Sequence, residues 1–419
     1  MPSDQPSKCV QHWQSGVFSG DYGAIIVDQE TFEQATLKAT IVAPLNRMQG
    51  LLGEEGREAI TNIKPDKYRP YRMASSILQI GQRLKGGLSV YTITKQLYPT
   101  TWLATNAVNR TVVVKCDKPE RINNERDLLR RFHDTALFRP LIDEIEVADP
   151  ANPLAIVLKH YDCHVGEISK KQGLSTREAK YLGSRVLKAL CALHANGYIH
   201  TDVKPGNILV NLCPGSDIRF TDVCLADLGD AVPTDSMEAT NGYPLGTTVF
   251  RSPETTLMMP FTTAHDIWSF GTTLISLLYG RGFDIFWPGG DPKDPLFIDK
   301  IVRNFHKYFG PFPETYLTLP GIDENRLEAL ITIMVEAEAR GLFQRASSTE
   351  ISNEDRDFIW SFMKLDYRDR PTAAALLQDK WFAELNTSEG AVDLGELSRD
   401  TATRNRDIPA AVAANCWIR

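Results

Sequence analysis

No stretch of this 419-residue sequence stays apolar for the ~20 residues that a bilayer span requires. The longest candidate, Phe270 to Tyr279, is interrupted by Gly271, Thr272, Thr273 and Ser276. The sequence opens MPSDQPSKCVQHWQSG, with no basic segment leading into an apolar one, so no secretory signal is expected and the chain is expected in cytosol, nucleus or both. Cysteine is sparse. Seven are scattered from Cys9 to Cys416, an odd number without CxxC spacing, which argues against both a disulfide framework and a zinc site. Basic charge is in deficit, 46 Lys and Arg against 53 Asp and Glu, and the net charge of −7 disfavours broad nucleic-acid binding. Neither a specific nucleic acid nor a membrane is expected as a partner, and no internal repeat is evident.

What is present describes an ordinary globular protein: 42% apolar, 24% charged and 9% aromatic residues. Domains average ~100–200 residues, so this length suggests two packed lobes with flanking segments. Residues 1 to about 70 carry no motif and only short apolar pieces such as Tyr22–Val27; they read as an extension. Polar and apolar residues alternate from Ser89 to Thr94, and Thr111-Val112-Val113-Val114 is β-branched throughout, so both read as strands of a small sheet. Asn123 to Phe132 then changes to helical spacing, with Leu128, Leu129 and Phe132 on one side. Pro153 to Leu158 reads as a buried strand. Ser175 with Glu178 forms a capping box, behind which Leu182, Val186, Leu190 and Leu193 share a helical face until Asn196-Gly197. His265 to Tyr279, Leu327 to Glu336, Glu354 to Met363 and Thr372 to Leu377 complete a helical second half. A Pro/Gly-rich insertion is expected over about 282–321, and a polar tail over 386–419.

The densest chemical signal is IHTDVKPGNIL, Ile199 to Leu209. It places a carboxylate (Asp202), an ammonium (Lys204) and an amide (Asn207) in one short loop between a helix and an apolar strand. Phosphoryl transfer needs an acceptor for the substrate hydroxyl's proton, a cation for the γ-phosphate and an oxygen ligand for Mg²⁺, and this loop can supply all three. Asp227, in ADLGD after the strand Val223-Cys224-Leu225, would be a second hard oxygen ligand. Upstream, Lys115 ends the strand TVVVK, and Glu125 follows ten residues later on the charged helix. A lone strand-end lysine and a lone helical glutamate are ordinary solvated charges. In this order they are not alone.

The set matches the general signature of the protein kinases, and this is a match to a known pattern. From about Ser89 to Phe382 the chain resembles a eukaryotic protein kinase, which implies an α+β, bilobal fold with a small β-rich N-lobe and a larger helical C-lobe. The kinase domain would run over 71–385, with the N-lobe at about 71–158 and the C-lobe at about 163–385. The resemblance implies ATP and Mg²⁺ as cofactors and proteins as substrates. It assigns Lys115 to the α/β-phosphates, Glu125 to fixing Lys115, Asp202 to the catalytic base, Lys204 to the γ-phosphate, and Asn207 and Asp227 to Mg²⁺. The hinge LKHYD adds Leu158 and Tyr161 to the nucleotide site. GTTVFRSPE, Gly246 to Glu254, resembles the substrate-side end of an activation segment, where Thr247 stands as the threonine that bonds the catalytic Asp and marks Ser/Thr specificity. Arg370 is implied to pair with Glu254, and Asp266 of DIWSFG to anchor the catalytic loop. Asp-Leu-Gly at 227–229, Arg251 before Ser252-Pro253-Glu254, and the insertion through KYFGPFP (Lys307 to Pro313) resemble the CMGC group, especially its SR-protein-kinase and dual-specificity relatives.

Departures from that pattern keep a second functional class open. The phosphate-binding glycine loop should lie just before Trp102, yet ITKQLYPTTW, Ile93 to Trp102, contains no glycine, and Gly86-Gly87 are too far upstream unless an insertion intervenes. His-Arg-Asp has become His200-Thr201-Asp202, and Lys159 stands in the hinge where an acidic residue is frequent. An active Ser/Thr kinase and a regulatory pseudokinase with weak ATP binding are both compatible with a retained fold.

Overall fold

The computed structural model describes residues 78–145, 155–319, 321–322, 324–336 and 341–383. The expectations for the extension, including Tyr22–Val27, and for the tail 386–419 lie outside the described residues. An antiparallel six-stranded sheet comes first, in the order β1-β2-β3-β4-β6-β5. Its strands are β1 (Arg83–Lys85), β2 (Val90–Tyr98), β3 (Thr101–Thr105), β4 (Thr111–Cys116), β5 (Leu141–Glu144) and β6 (Ala155–Lys159), with helix α1 (Pro119–Arg131) between β4 and β5. Both faces of β4 are covered. Val112 and Val114 pack with Tyr91, Ile93 and Trp102 on one side, while Val113 joins Leu128, Leu129 and Leu158 in the main core on the other. That double burial is why the run TVVVK shows no polar alternation. Lys115, two residues after Val113, shares Val113's face and so points toward α1.

Helix α1 starts with Pro119 at its first turn, where a missing N–H costs nothing. Its buried positions Ile122, Glu125, Leu128 and Leu129 form one stripe, so Glu125 is carried inward with the apolar residues.

The larger, helical lobe follows. It begins with β7 (Cys163–His164), α2 (Val165–Lys171) and α3 (Thr176–Ala195). Short strands β8 (Tyr198–Ile199), β9 (Ile208–Leu212), β10 (Phe220–Leu225) and β11 (Val232–Pro233) surround the catalytic loop. Beyond them lie α4 (Met237–Thr240), α5 (Pro253–Thr256), α6 (Ala264–Tyr279), α7 (Phe297–Phe309), α8 (Glu324–Glu336), α9 (Asn353–Phe362) and α10 (Ala373–Leu376). The expected capping box closes the start of α3: Glu178 N–H donates to Ser175 Oγ at 3.3 Å, and Ser175 N–H donates to Glu178 Oε2 at 2.9 Å. Leu182, Val186, Leu190 and Leu193 are buried along one face of α3, which delivers the chain to β8 and the loop.

One feature differs from the sequence reading. The stretch 282–321 is not merely a Pro/Gly-rich excursion, because α7 lies within it and buries Phe297, Ile301, Phe305, Tyr308 and Phe309. Their spacing of four, four, three and one is helical, and the flanking Pro and Gly residues hide it. Helix α6 is buried on every side, including His265, Asp266, Ser269 and Thr273. Polar groups buried in this way require internal partners, and they find them in the catalytic loop and in the segment 250–255. Among the described residues, no helix is long and apolar enough to cross a membrane.

Candidate active site

Lys115, Glu125 and Asp227 meet between the lobes. Lys115 Nζ donates to Glu125 Oε2 at 2.6 Å and to Asp227 Oδ1 at 2.7 Å. Burial works to discharge the ammonium, but Asp227 and Glu125 outweigh it, and the Lys115 pKa lies above its ordinary value. Burial likewise opposes the Asp227 charge, and Lys115 and Arg121 overcome it, so the carboxylate stays well below the usual range. The site therefore holds a cationic Lys115 against an anionic Asp227 at neutral pH. Asp227 has φ 66°, an uncommon conformation that a short polar side chain tolerates better than most.

The catalytic loop runs from Ile199 to β9. Asp202 Oδ1 accepts from Thr247 N–H at 2.9 Å and from its hydroxyl at 2.7 Å. The other oxygen, Oδ2, accepts from Lys204 Nζ at 2.7 Å and from Asn207 Nδ2 at 3.0 Å. Lys204 Nζ also reaches Thr247 Oγ1 at 2.8 Å. Burial pushes the Asp202 carboxyl up, yet Lys204 and the Thr247 hydrogen bond hold it at about 2. Asn207 spends its amide nitrogen on Asp202, on the carboxylate and on the main-chain oxygen at 2.8 Å. Its amide oxygen is thereby turned away from Asp202. Asn207 and Asp227 thus offer hard oxygens, the donor type Mg²⁺ takes when phosphate and water complete its shell.

One face of α6 holds this loop in place. Asp266 is fully buried, accepting from the amides of His200 at 2.8 Å and Thr201 at 2.9 Å and contacting His194 Nε2 at 2.8 Å. Thr273 donates to Val203 O at 3.3 Å, and Ser269 to Phe250 O at 2.8 Å. Residues 266, 269 and 273 stand three and four apart, so a single helical face grips the catalytic loop and the end of the activation segment together. Thr201 has φ 69°, strained for a β-branched residue. Opposite it, Gly246 has φ 77°, and a Cβ there would sit 2.1 Å from Thr201 O, so only glycine fits.

At the far end of the segment Arg370 makes a two-pronged pair with Glu254, both contacts 2.8 Å and both side chains fully buried. Removing one partner of such a pair costs ~3–5 kcal/mol, because the other charge is left buried alone.

The hinge residues behave differently. Leu158 has 0% exposure and pairs through its main chain with Val113 and Leu141. Tyr161 is also buried, with Lys159 Nζ 4.8 Å above its ring. Leu103 and Val113 stand directly opposed across β3 and β4, and Val113 packs in the same core cluster as Leu158.

The hairpin of β2 and β3 turns at Pro99-Thr100, and Thr101 pairs with Lys115. The turn before Trp102 is thus the one that lies beside Lys115, and it carries Leu97, Tyr98 and Pro99 in place of glycines. Gly86 and Gly87 stand in the separate β1–β2 turn, where Gly87 N–H donates to Asp143 Oδ1 at 3.1 Å and Gly86 bridges to Ile145.

Three residues that the motifs did not single out also belong to the site. Asn124 and Arg121 contact the chain after Asp227, and His265 contacts Thr201. Asn124 and His265 each directly precede a recognised residue, Glu125 and Asp266, which is the only signal the sequence offers for them.

Residues 85–382 match the protein kinase domain family. Mitogen-activated protein kinase 12 of Rattus norvegicus is 29% identical over 247 residues, covering 58% of this chain and 60% of that protein. Serine/threonine-protein kinase US3 of human herpesvirus 1 (strain 17) is 26% identical over 276 residues, covering 62% of this chain and 53% of that protein. The chain therefore spans little more than half the length of the curated relatives it matches. A chain from the crystal structure of the yeast RNA Pol II CTD kinase CTDK-1 complex shares the fold, with a TM-score of 0.56 at 18% identity over 75% of this chain and 95% of that one. With the family matched over most of its length and the bilobal fold in place, this chain belongs to the protein kinase domain family.

Proposed function

We propose that the chain transfers the γ-phosphate of ATP to serine or threonine hydroxyls of protein substrates. The observation that carries this reading is the Asp202 carboxylate, fixed on both oxygens by Thr247, Lys204 and Asn207 while Lys115 is closed onto Glu125. Asp202 would accept the proton of the attacking hydroxyl, a role that requires an ionised and oriented carboxylate. Lys204, bonded to both Asp202 and Thr247, would support the transferring phosphoryl group. Lys115 would hold the α- and β-phosphates. Asn207 and Asp227 would hold Mg²⁺, whose charge offsets that of the phosphates.

One observation favours the second reading, a regulatory module with weak nucleotide binding: the hairpin beside Lys115 has Tyr98 and Pro99 where backbone N–H groups should approach phosphate. Incubation with γ-labelled ATP, Mg²⁺ and a mixed protein substrate, followed by phosphoamino-acid analysis, decides between them. Label on phosphoserine and phosphothreonine supports transfer. Label on phosphotyrosine alone overturns the acceptor assignment, and no label overturns the activity.

A further inference from the structure

His265 is fully buried and titratable, yet the chemistry above makes no use of it. Its two ring nitrogens face two different parts of the site. Nε2 lies 2.9 Å from the main-chain oxygen of Thr201, while Nδ1 lies 2.8 Å from Thr255 Oγ1 and 3.0 Å from Ser252 Oγ. A carbonyl oxygen only accepts, so Nε2 carries the proton. Burial lowers the pKa of the ring, with Asp266 and Glu254 opposing and Arg370 assisting, so the imidazole is neutral and Nδ1 is an acceptor. The hydroxyls of Ser252 and Thr255 are 3.0 Å apart. Hydrogen bonds therefore run in one direction through the ring, from the Ser252 and Thr255 hydroxyl pair to His265 Nδ1 and from Nε2 to Thr201 O.

The end of that relay matters because the Thr201 carbonyl is one end of the peptide plane that leads into Asp202. The other end, Asp202 N–H, donates to His200 Nδ1 at 3.3 Å. Thr201 is also bound through its amide, to Asp266 Oδ1 at 2.9 Å, and its hydroxyl, to Asp230 O at 3.0 Å. Every polar group of this strained residue is thus held. The contact from His265 is the one that arrives from the substrate-side segment, since Ser252 and Thr255 flank Pro253-Glu254. Rotating the Thr201–Asp202 peptide breaks it, and shifting Ser252 or Thr255 disturbs it from the other side.

We propose that His265 is a positioning residue for phosphoryl transfer: it donates to the Thr201 carbonyl and accepts from Thr255, so that the aim of Asp202 depends on how the substrate-side segment is seated. This rests on the reading of the chain as an active kinase. The closing experiment compares wild type with His265→Phe, which keeps a ring but neither hydrogen bond, and with His265→Gln, whose amide N–H can stand where Nε2 stands. Misplacing a reacting group by a fraction of an ångström lowers turnover, so His265→Phe is expected to lose kcat about ten- to a hundredfold with KM for ATP within about twofold. His265→Gln is expected to recover most of that loss. Equal losses in the two variants overturn the positioning role, as does a loss in His265→Phe that tracks its unfolded fraction. Amide exchange at Asp202 on the same proteins reads the claim without turnover: faster in His265→Phe and near wild type in His265→Gln supports it, and unchanged exchange overturns it. Should His265→Phe fail to fold, ¹⁵N-histidine spectra of the wild type decide the matter: a neutral Nε2–H ring supports the relay, and a charged or Nδ1–H ring overturns it. A wild type that transfers no phosphate overturns the kinase reading alone, and the exchange data still judge His265.

Discussion

The side-chain nitrogen of Asn124 donates to the main-chain oxygen of Ala231 at 2.8 Å and lies 3.2 and 3.1 Å from those of Leu228 and Gly229. Helix α1, which carries Glu125, therefore grips the chain just after Asp227 directly. Arg121 Nη2 adds a contact to Asp230 Oδ2 at 2.8 Å. Further along, β11 pairs with β8, and Ala239 packs with Ile199 and Phe261 in a small apolar cluster. The activation segment is seated by side-chain amide, ion pair and apolar contact.

That seating sets the expected response to phosphatase. Thr201 replaces the arginine that would receive an activation-segment phosphate, and its hydroxyl instead holds Asp230 O. Ordering by phosphate works through arginine–phosphate pairs. Basal activity is therefore expected to survive phosphatase treatment within about twofold. A collapse of activity would contradict this and direct attention to Arg251, although its Nε already donates to Leu245 O and Gly246 O at 2.9 Å.

Nucleotide affinity follows from the hairpin. Tyr98 and Pro99 crowd the backbone where glycines would let N–H groups reach phosphate, and Pro99 has no N–H to give. Losing one or two charge-assisted hydrogen bonds, ~1.5–3 kcal/mol each, weakens ATP binding by about one to three decades. Calorimetric titration is expected to show weak, Mg²⁺-dependent binding that tightens at least tenfold in the double variant Tyr98→Gly, Pro99→Gly. Low-micromolar binding by the wild type would show that other contacts replace the loop. Gly86-Gly87 cannot serve, since they turn a different hairpin.

Acid should loosen the helix that delivers the catalytic loop. Burial opposes the charge of Glu178, but Arg219 and the amides of Ser175 and Arg219 hold its carboxyl at about 2. A depressed folded pKa stabilises the protein above the unfolded value, near 4.5, and that contribution is lost as pH falls through about 2. Urea unfolding of wild type and Glu178→Gln is expected to show a stability gap at pH 7 that closes between about pH 4.5 and 2. A gap that persists at the lowest pH would mean that the contact, not the charge, matters.

Some of this was legible in the residues and some was not. Ser175 and Glu178 announce their helix because a capping box is local, and Lys115, Glu125, Asp202 and Asp227 announce themselves because their order along the chain is distinctive. Element boundaries were less legible. Helix α1 begins at Pro119, ahead of the expected Asn123, since propensity is silent about where packing starts. Helix α7 was hidden by the prolines and glycines around it. Asn124 and His265 escaped notice because an amide and an imidazole gain meaning only from what the fold sets against them, here main-chain oxygens distant in sequence. Leu158 and Tyr161 were legible as hinge residues, but the burial of their side chains depends on β4, β5 and β10, which no local pattern encodes.

The central claim is that Asp202 is the catalytic base, and the most direct measurement is steady-state phosphoryl transfer by wild type and Asp202→Asn side by side, with ATP affinity measured on both. Asparagine keeps the shape and can still bond Thr247, so the fold and nucleotide binding should be retained. General acid–base catalysis is worth ~10²–10⁴-fold, and the loss is expected in kcat rather than in KM for ATP. Turnover by Asp202→Asn equal to that of the wild type would contradict the account.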